Sequence, residues 1–309
     1  MNFYREILRP SLIKSGKTSI WLLKIILPVS LLVRLLDYYG FLDYLASFLD
    51  PIFVNMGLPG STAIIFISSV FLPMYAPLAI MTSIPITLRE LTILTLMCQT
   101  SHNLPVESTI QSKTGTSFWS VSILRVTMSL VIGLFLNWVL PQEMGMPTFA
   151  QTSVEKATSI SQLLIEWLKN GLSMGLLILG IVFALNVLYG FMLRYKWIDK
   201  LSNVISPVLK FFGLPLNTGF LWLIGYIVGL AYGGALMMDQ MKEGTVKKED
   251  ANLLNYHLAM SHSVLEDNLL FVALGVSLWI ILAVRFTAAF IIVWAVRFLF
   301  YRKKEEIVA

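Results

Sequence analysis

The chain contains the stretch Phe41-Leu-Asp-Tyr-Leu45, Asp50-Pro51 and Gly57-Leu58-Pro59, and it repeats this stretch as Trp197-Ile-Asp-Lys-Leu201, Ser206-Pro207 and Gly213-Leu214-Pro215. The spacing between equivalent positions is a constant 156 residues, as from Asp43 to Asp199. Chance rarely preserves one spacing over residues of such different types. The stretch therefore indicates a chain built by duplication of one unit.

The duplication continues through a second, more polar stretch. After a four-residue insertion in the charged loop 242–250, the spacing becomes 160 residues, as from His102 to His262. The pairs at this spacing are Ser101 with Ser261, His102 with His262, Glu107 with Asp267, Trp119 with Trp279 and Arg125 with Arg285. We therefore divide the chain into a first repeat (1–140), a linker (141–160) and a second repeat (161–309).

The composition places both repeats in a membrane. Hydrophobic residues make up 57% of the chain, charged residues only 13%, and the mean hydropathy is +0.76, whereas about a quarter of a soluble domain is charged. The segments apolar and long enough to span a bilayer are 20–38, 61–81, 118–140, 172–193, 218–238 and 277–300. Segments 91–109 and 251–270 are as long but carry polar residues at their centres. The sequence predicts an all-α, polytopic membrane protein.

Each repeat is predicted to contain three full spans, an interfacial helix that ends at Gly-Leu-Pro, and the polar segment. If the polar segments cross the membrane, each repeat has four spans and the copies are parallel; if they are broken or re-entrant, the copies are inverted. The loop Lys and Arg residues show the same inside excess under both topologies, so the positive-inside rule does not choose between them. Two features favour inversion: loop 40–58 has no Lys or Arg whereas loop 194–213 has four, and Pro105 interrupts the first polar segment.

The polar segments supply the candidate site. His102 and His262 each follow a serine, and each precedes a carboxylate by five residues. Ionisable residues at membrane depth are costly and usually face a protein interior or a water-filled cavity, so we expect the two clusters to converge on a binding site. The alternative is that these residues only cap and connect two helix breaks. The predicted substrate-binding residues are Gln99, Ser101, His102, Asn103, Glu107, Ser261, His262, Glu266, Asp267, Arg125 and Arg285.

The two arginines lie too deep in the final spans to reach the interface comfortably. Each either neutralises the carboxylate of its own repeat or binds an anionic solute, and we prefer the first explanation because buried charges are normally paired. A metal site is a rival interpretation that no tight Cys/His spacing supports. Its candidate ligands are Cys98, His102, His262 and Asp267, together with Glu107, Glu266, Met97 and Met260.

Other function classes find no support in the sequence. Gly16-Lys17-Thr18 resembles the end of a phosphate-binding loop, but Ser11 stands where that loop requires glycine. There is no motif of a nucleophilic or zinc-dependent hydrolase, and no basic stripe suited to nucleic acid. We expect neither an enzyme, nor a cofactor, nor a nucleic-acid partner.

The chain resembles the nucleoside-recognition, or Gate, family of membrane proteins. The resemblance rests on Gly-Leu-Pro after an interfacial helix, and on Ser-His-Asn-Leu-Pro-Val-Glu (101–107) echoed by Ser-His-Ser-Val-Leu-Glu-Asp (261–267). It covers the whole chain as two Gate units. Members include the spore maturation proteins A and B; more distant relatives are the membrane part of the ferrous-iron transporter B and the concentrative nucleoside transporters. The resemblance implies a transporter-like core in a bacterial cytoplasmic membrane.

Two functions from different classes remain open. The first is a transporter or facilitator of a small polar solute (a nucleoside, a small organic anion or a divalent metal) with a central site between the repeats. The second is a non-transporting scaffold or assembly factor whose polar centre is structural. In both, the chain is a multi-pass protein of the inner membrane of a bacterium with a cytoplasmic N-terminus, lipid is a partner, and a homo-oligomer is compatible with either. The transporter also has a small molecule or ion as its partner.

Overall fold

The computed structural model describes residues 7–41, 44, 50–148, 159–195 and 205–301. Within these ranges the regular structure is helical throughout, and no strand occurs. The prediction of an all-α chain is confirmed. The α-helices are α1 (Arg9–Tyr38), α2 (Ala63–Phe71), α3 (Tyr75–Met81), α4 (Leu88–Ser101), α5 (Leu104–Lys113), α6 (Phe118–Val139), α7 (Ile160–Arg194), α8 (Ser206–Phe211), α9 (Gly219–Ile227), α10 (Leu230–Lys242), α11 (Lys248–Ser261), α12 (Glu266–Ala273) and α13 (Leu278–Val296).

Two helices in the described part of the chain are long and apolar enough to cross a membrane. They comprise Phe118–Val139 and Leu278–Leu299, each of 22 residues, which corresponds to about 33 Å at 1.5 Å per residue. A third crossing is obtained if the bent helix pair Asp50–Met56 and Gly60–Phe71 counts as one span. Helices α1 and α7, of 30 and 35 residues, contain the segments predicted to span at 20–38 and 172–193.

The segment predicted as a continuous span at 61–81 is interrupted. Helix α2 ends at Phe71 and α3 begins at Tyr75. The interruption follows from Pro73, because a proline disfavours helical backbone in the residue before it. Leu72 accordingly has an extended conformation, with φ −120° and ψ 158°. The expectation of one continuous helix here is corrected to two short ones.

The equivalent segment of the second repeat, predicted to span at 218–238, is also two helices. Helix α9 ends at Ile227 and α10 begins at Leu230. Gly229 lies at the break with φ 99° and ψ 172°, a conformation that is essentially restricted to glycine. Different residues, a proline in one repeat and a glycine in the other, therefore interrupt the helix at similar places.

The polar segments 91–109 and 251–270 are broken, each directly after its serine. Helix α4 ends at Ser101 and α11 at Ser261. Asn103 and Ser263 follow with φ values of 49° and 48°, which are uncommon for residues other than glycine. The Asn103 N–H donates to the Ser69 carbonyl at 2.8 Å, and the Ser263 N–H to the Gly225 carbonyl at 2.9 Å. A backbone group from a neighbouring helix thus stabilises each break.

The chain falls into two compact units, and each unit contains segments from both halves of the sequence. The first unit comprises Met1–Asn103, Ser129–Gly190 and Leu269–Leu278. Within it α3 packs against α1 and α2, and α2 packs against α4. The second unit comprises Leu104–Met128, Phe191–Asn268 and Trp279–Ala309. Within it α10 packs against α5, α9 and α11.

Gly57, the glycine of the first Gly-Leu-Pro, is expected to tolerate no side chain. Its φ is +67°, and a Cβ atom there would overlap the Oδ1 of Asn137 and lie 2.6 Å from Nη1 of Arg89. The Gly57→Ala variant should lose more than about 1–2 kcal/mol of unfolding free energy, the left-handed backbone cost alone. Thermal unfolding in detergent measures this. The matched control is Gly180→Ala, where nothing lies within 4 Å and alanine should stabilise the helix slightly; equal melting temperatures for the two variants would refute the argument.

Candidate functional site

A buried ion pair joins α5 and α6 in the second unit. Glu107, in the first turn of α5, accepts a hydrogen bond from Nη1 of Arg125 through its Oε2 at 2.7 Å. Arg125 is 0% exposed and Glu107 is 8% exposed. The structure thus shows the preferred explanation for Arg125, since a hydrogen bond of this length between a guanidinium and a carboxylate pairs the two charges.

His262, from the second repeat, contacts the carboxylate of Glu107, from the first repeat. The distance from His262 Nε2 to Glu107 Oε2 is 3.3 Å. On the other side of the ring, Nδ1 lies 2.7 Å from the carbonyl oxygen of Leu258. His262 is 1% exposed, so the contact is removed from solvent on the histidine side. Residues 155 positions apart in the sequence are therefore adjacent within one compact unit.

Arg285 has different partners from its repeat mate Arg125. It donates to the Asn268 side-chain oxygen at 2.8 Å and to the backbone carbonyls of Met260 and His262 at 3.3 and 2.5 Å. Its expected partner Asp267 attracts it electrostatically. All three guanidinium nitrogens are thereby engaged. Arg285 thus connects the end of α11 to α12 across the break.

The remaining predicted residues of the second repeat lie around this connection. Ser261 is buried and its Oγ lies 2.5 Å from the hydroxyl of Tyr226. Asp267 is buried, and its backbone N–H donates to the Ser263 carbonyl at 3.0 Å, which caps the start of α12. Glu266 is half-buried at the first position of α12. Acidic residues in the first turn interact favourably with the helix dipole, which gives both carboxylates a structural role as well.

The predicted residues of the first repeat, other than Glu107 and Arg125, lie in the first unit at the end of α4. Gln99, Ser101 and His102 are buried, and Asn103 is half-buried. The Nδ1 of His102 lies 3.2 Å from the Gln99 carbonyl and 3.3 Å from that of Cys98. Because a carbonyl oxygen only accepts, this nitrogen donates, and a neutral His102 has its lone pair on Nε2. The metal candidate Cys98 is a buried free thiol within the same helix.

The third histidine is not among the residues predicted from the sequence, because it has no repeat mate. His257 is fully buried, and its Nε2 accepts from the indole N–H of Trp222 at 2.9 Å and lies 2.7 Å from the hydroxyl of Tyr226. Tyr226 in turn reaches Ser261. A usable signal did exist: His257 precedes Ser261 by four residues, which places both on one face of a helix.

An amide pair connecting the two repeats was also missed. The Gln111 side chain donates to the Asn255 carbonyl at 2.8 Å, and the Asn255 side chain donates to the Thr114 carbonyl and hydroxyl at 3.1 and 2.9 Å. Asn255 thus satisfies carbonyls at the C-terminal end of α5. Asn255 lies in the polar segment 251–270, and spacing within the sequence does not predict its partner.

Comparison with known proteins decides the family. Residues 19–113 match the Gate family, described as nucleoside recognition. Over 286 residues the chain is 30% identical to the uncharacterized membrane protein YvoD of Bacillus subtilis (strain 168), a match that covers 91% of each chain. The chain belongs to the Gate family. The predicted resemblance is confirmed, and no solved structure matches the Gate protein described here.

Family membership supports the coarser parts of the functional expectation. Gate proteins are membrane proteins of a transport-related family rather than enzymes. The membrane character agrees with the relative, which is itself a membrane protein. The solute is left open, because a shared fold does not fix what a site binds.

Proposed function

We propose that this Gate protein is a transporter or facilitator of a small polar solute, with its site formed by both repeats. The observation that carries the proposal is the cluster of Glu107, Arg125 and His262, in which buried ionisable groups from two repeats meet next to helix breaks. Such groups are expensive in a membrane protein and commonly mark solute or ion pathways. Broken helices near a repeat interface are a frequent design of secondary transporters.

The proposal includes two tandem repeats of inverted topology, each with three crossings besides the broken polar segment and an interfacial helix. Equivalent backbone features support the duplication: Gly57 and Gly213 have φ values of 67° and 70°, and Asn103 and Ser263 have 49° and 48°. The second crossing of each repeat would be an interrupted helix. We further propose the bacterial cytoplasmic membrane as location, with the N-terminus inside, and leave the candidate solutes as a nucleoside, a small organic anion or a divalent metal.

Removing both repeat-mate histidines is expected to abolish transport. The solute is first selected by thermal shift of the purified protein against nucleosides, dicarboxylates and divalent metals, since a ligand that binds the native state raises its stability. In liposomes, the His102→Ala/His262→Ala variant should reduce flux of that solute to the rate of protein-free liposomes. Asp239→Asn, at a 66% exposed carboxylate, is the matched control. Full flux through a well-folded double variant would exclude this mechanism.

A non-transporting scaffold is the second candidate, and the contacts of Arg285 favour it. All three nitrogens of that guanidinium hold the protein's own backbone and Asn268, as expected of a purely structural polar centre. The scaffold function predicts that no solute shifts the melting temperature and that the histidine substitutions lower it. The transporter function predicts a ligand-dependent shift that these substitutions abolish.

A further inference from the structure

His262 is held so that one particular nitrogen faces Glu107. Its Nδ1 lies 2.7 Å from the Leu258 carbonyl oxygen, which can only accept, so Nδ1 carries the hydrogen. The neutral ring then has its lone pair on Nε2, which lies 3.3 Å from Oε2 of Glu107. That oxygen already accepts from Arg125, as an ionised carboxylate does. With the ring neutral, two electron-pair donors face each other in a buried place, and a cation between them, either a proton or a metal ion, stabilises the contact.

We propose that Glu107 and His262 are two ligands of a divalent transition-metal ion. In a tetrahedral site with bonds of about 2.0–2.1 Å, neighbouring ligand atoms lie about 3.3 Å apart, which is the separation found here. Each ligand also makes a supporting hydrogen bond: Nδ1 of His262 donates to the Leu258 carbonyl, and Oε2 of Glu107 accepts from Arg125. Supporting hydrogen bonds of this kind orient metal ligands and fix the tautomer of a coordinating histidine.

The ligand types narrow the class of ion. Imidazole nitrogen suits zinc, iron, cobalt, nickel and copper ions, whereas magnesium and calcium prefer oxygen ligands alone. A nitrogen and a carboxylate oxygen as first ligands therefore favour a borderline transition metal over an alkaline-earth ion. Among the metal candidates named from the sequence, this assigns His262 and Glu107 as ligands.

The surrounding charges predict an exchangeable ion rather than a permanent one. Arg125 neutralises Glu107, and Arg285 interacts electrostatically with both Asp267 and Glu107. The ion is thus attracted by lone pairs without an excess of negative charge to hold it. Two protein ligands also leave coordination positions for water or another group, unlike a closed structural site. Weak, reversible binding is what a transported ion requires; this role as cargo rests on the proposed function, whereas the binding site itself does not.

Cobalt(II) tests the site because its absorption spectrum reports nitrogen and oxygen ligation directly. We expect the purified full-length protein in detergent to bind one Co²⁺ per chain. Zn²⁺ should displace the bound Co²⁺, whereas Mg²⁺ at the same concentration should not. His262→Gln and Glu107→Gln should each weaken Co²⁺ binding at least about tenfold, and Asp239→Asn should leave it unchanged. Binding should weaken as the pH falls, because protons compete for the ligands. Glu107→Asp replaces Glu107→Gln if the latter fails to fold.

The outcomes separate the site from the transport function. Absence of Co²⁺ binding, or equal binding by the His262→Gln variant, would overturn the metal site and would indicate that a proton occupies the contact; flux of another solute would be untouched by that result. Co²⁺ binding together with Co²⁺ entry into dye-loaded liposomes supports both site and cargo. Binding without entry supports the site and overturns its role in transport.

Discussion

Replacing Glu107 by leucine is expected to lower the free energy of unfolding by about 3–5 kcal/mol. The loss arises because Arg125 is 0% exposed and would keep its charge without the Glu107 carboxylate that neutralises it. Hydrophobic area gained by the leucine offsets little of this, since desolvation of a buried ion exceeds the transfer energy of one side chain. Reversible unfolding in mixed micelles measures the difference from wild type.

A second substitution shows whether the loss of stability comes from the unneutralised charge of Arg125 or from the leucine at position 107 itself. Glu107→Leu/Arg125→Met replaces the whole pair by apolar side chains and should recover most of the loss, because such replacements are often neutral or stabilising. The control is Lys242→Ala, which removes an ion pair whose side chains are 77% and 66% exposed and should change stability little. A double variant as unstable as Glu107→Leu alone would show that the pair is not the cause.

The sequence predicts the individual breaks unevenly, and the reason is physical. The first Ser-His segment carries a local signal for its break, because Pro105 restricts the backbone around it. The structure places the break just before Pro105, which lies in the first turn of α5, where a missing N–H costs nothing. The break inside 61–81 has a comparable signal in Pro73, whereas the break inside 218–238 carries less. An apolar run looks the same whether it is one helix or two.

The contacts between the site residues could be predicted only where the two residues lie close together in the sequence or recur in both repeats. Arg125 lies 18 residues after Glu107, and its burial demands the nearest carboxylate. The contact of Glu107 with His262 has no such local cause, since it depends on how α5 and α11 pack in the second unit. Spacing within a sequence reports the faces of one element, and not which elements become neighbours.

Comparison of the two repeats explains why Arg285 departs from the pattern of Arg125. The acid of the second repeat is an aspartate, Asp267, whose side chain is one methylene shorter than that of Glu107. At the next position Asn268 stands where the first repeat has Ser108, and the longer amide accepts from Arg285. In the first repeat Ser108 instead accepts from Ser122 at 2.8 Å. Arg125 is thus paired with a carboxylate, whereas Arg285 holds two backbone carbonyls and one amide oxygen.

Arg285→Met is expected to lower the free energy of unfolding by at least about 3 kcal/mol. The variant removes three donated hydrogen bonds and leaves the Met260 and His262 carbonyls and the Asn268 side chain without their guanidinium donor. Hydrogen bonds to charged groups contribute about 1.5–3 kcal/mol each, and their removal is not additive. Arg285→Lys should recover only part of the loss, since an ammonium group cannot reproduce the planar arrangement that reaches three acceptors on two helices.

Hydrogen exchange distinguishes a clamp from a general contribution to the core. If Arg285 connects α11 to α12, the amides of 261–266 should lose protection in Arg285→Met before the amides of α6 do, because local opening precedes global unfolding where contacts are removed. Arg297→Met is the matched control, since that arginine donates one hydrogen bond to the Gly213 carbonyl and its loss should cost about 1 kcal/mol. Uniform loss of protection across α6 and α11, or equal instability of the two arginine variants, would contradict the clamp.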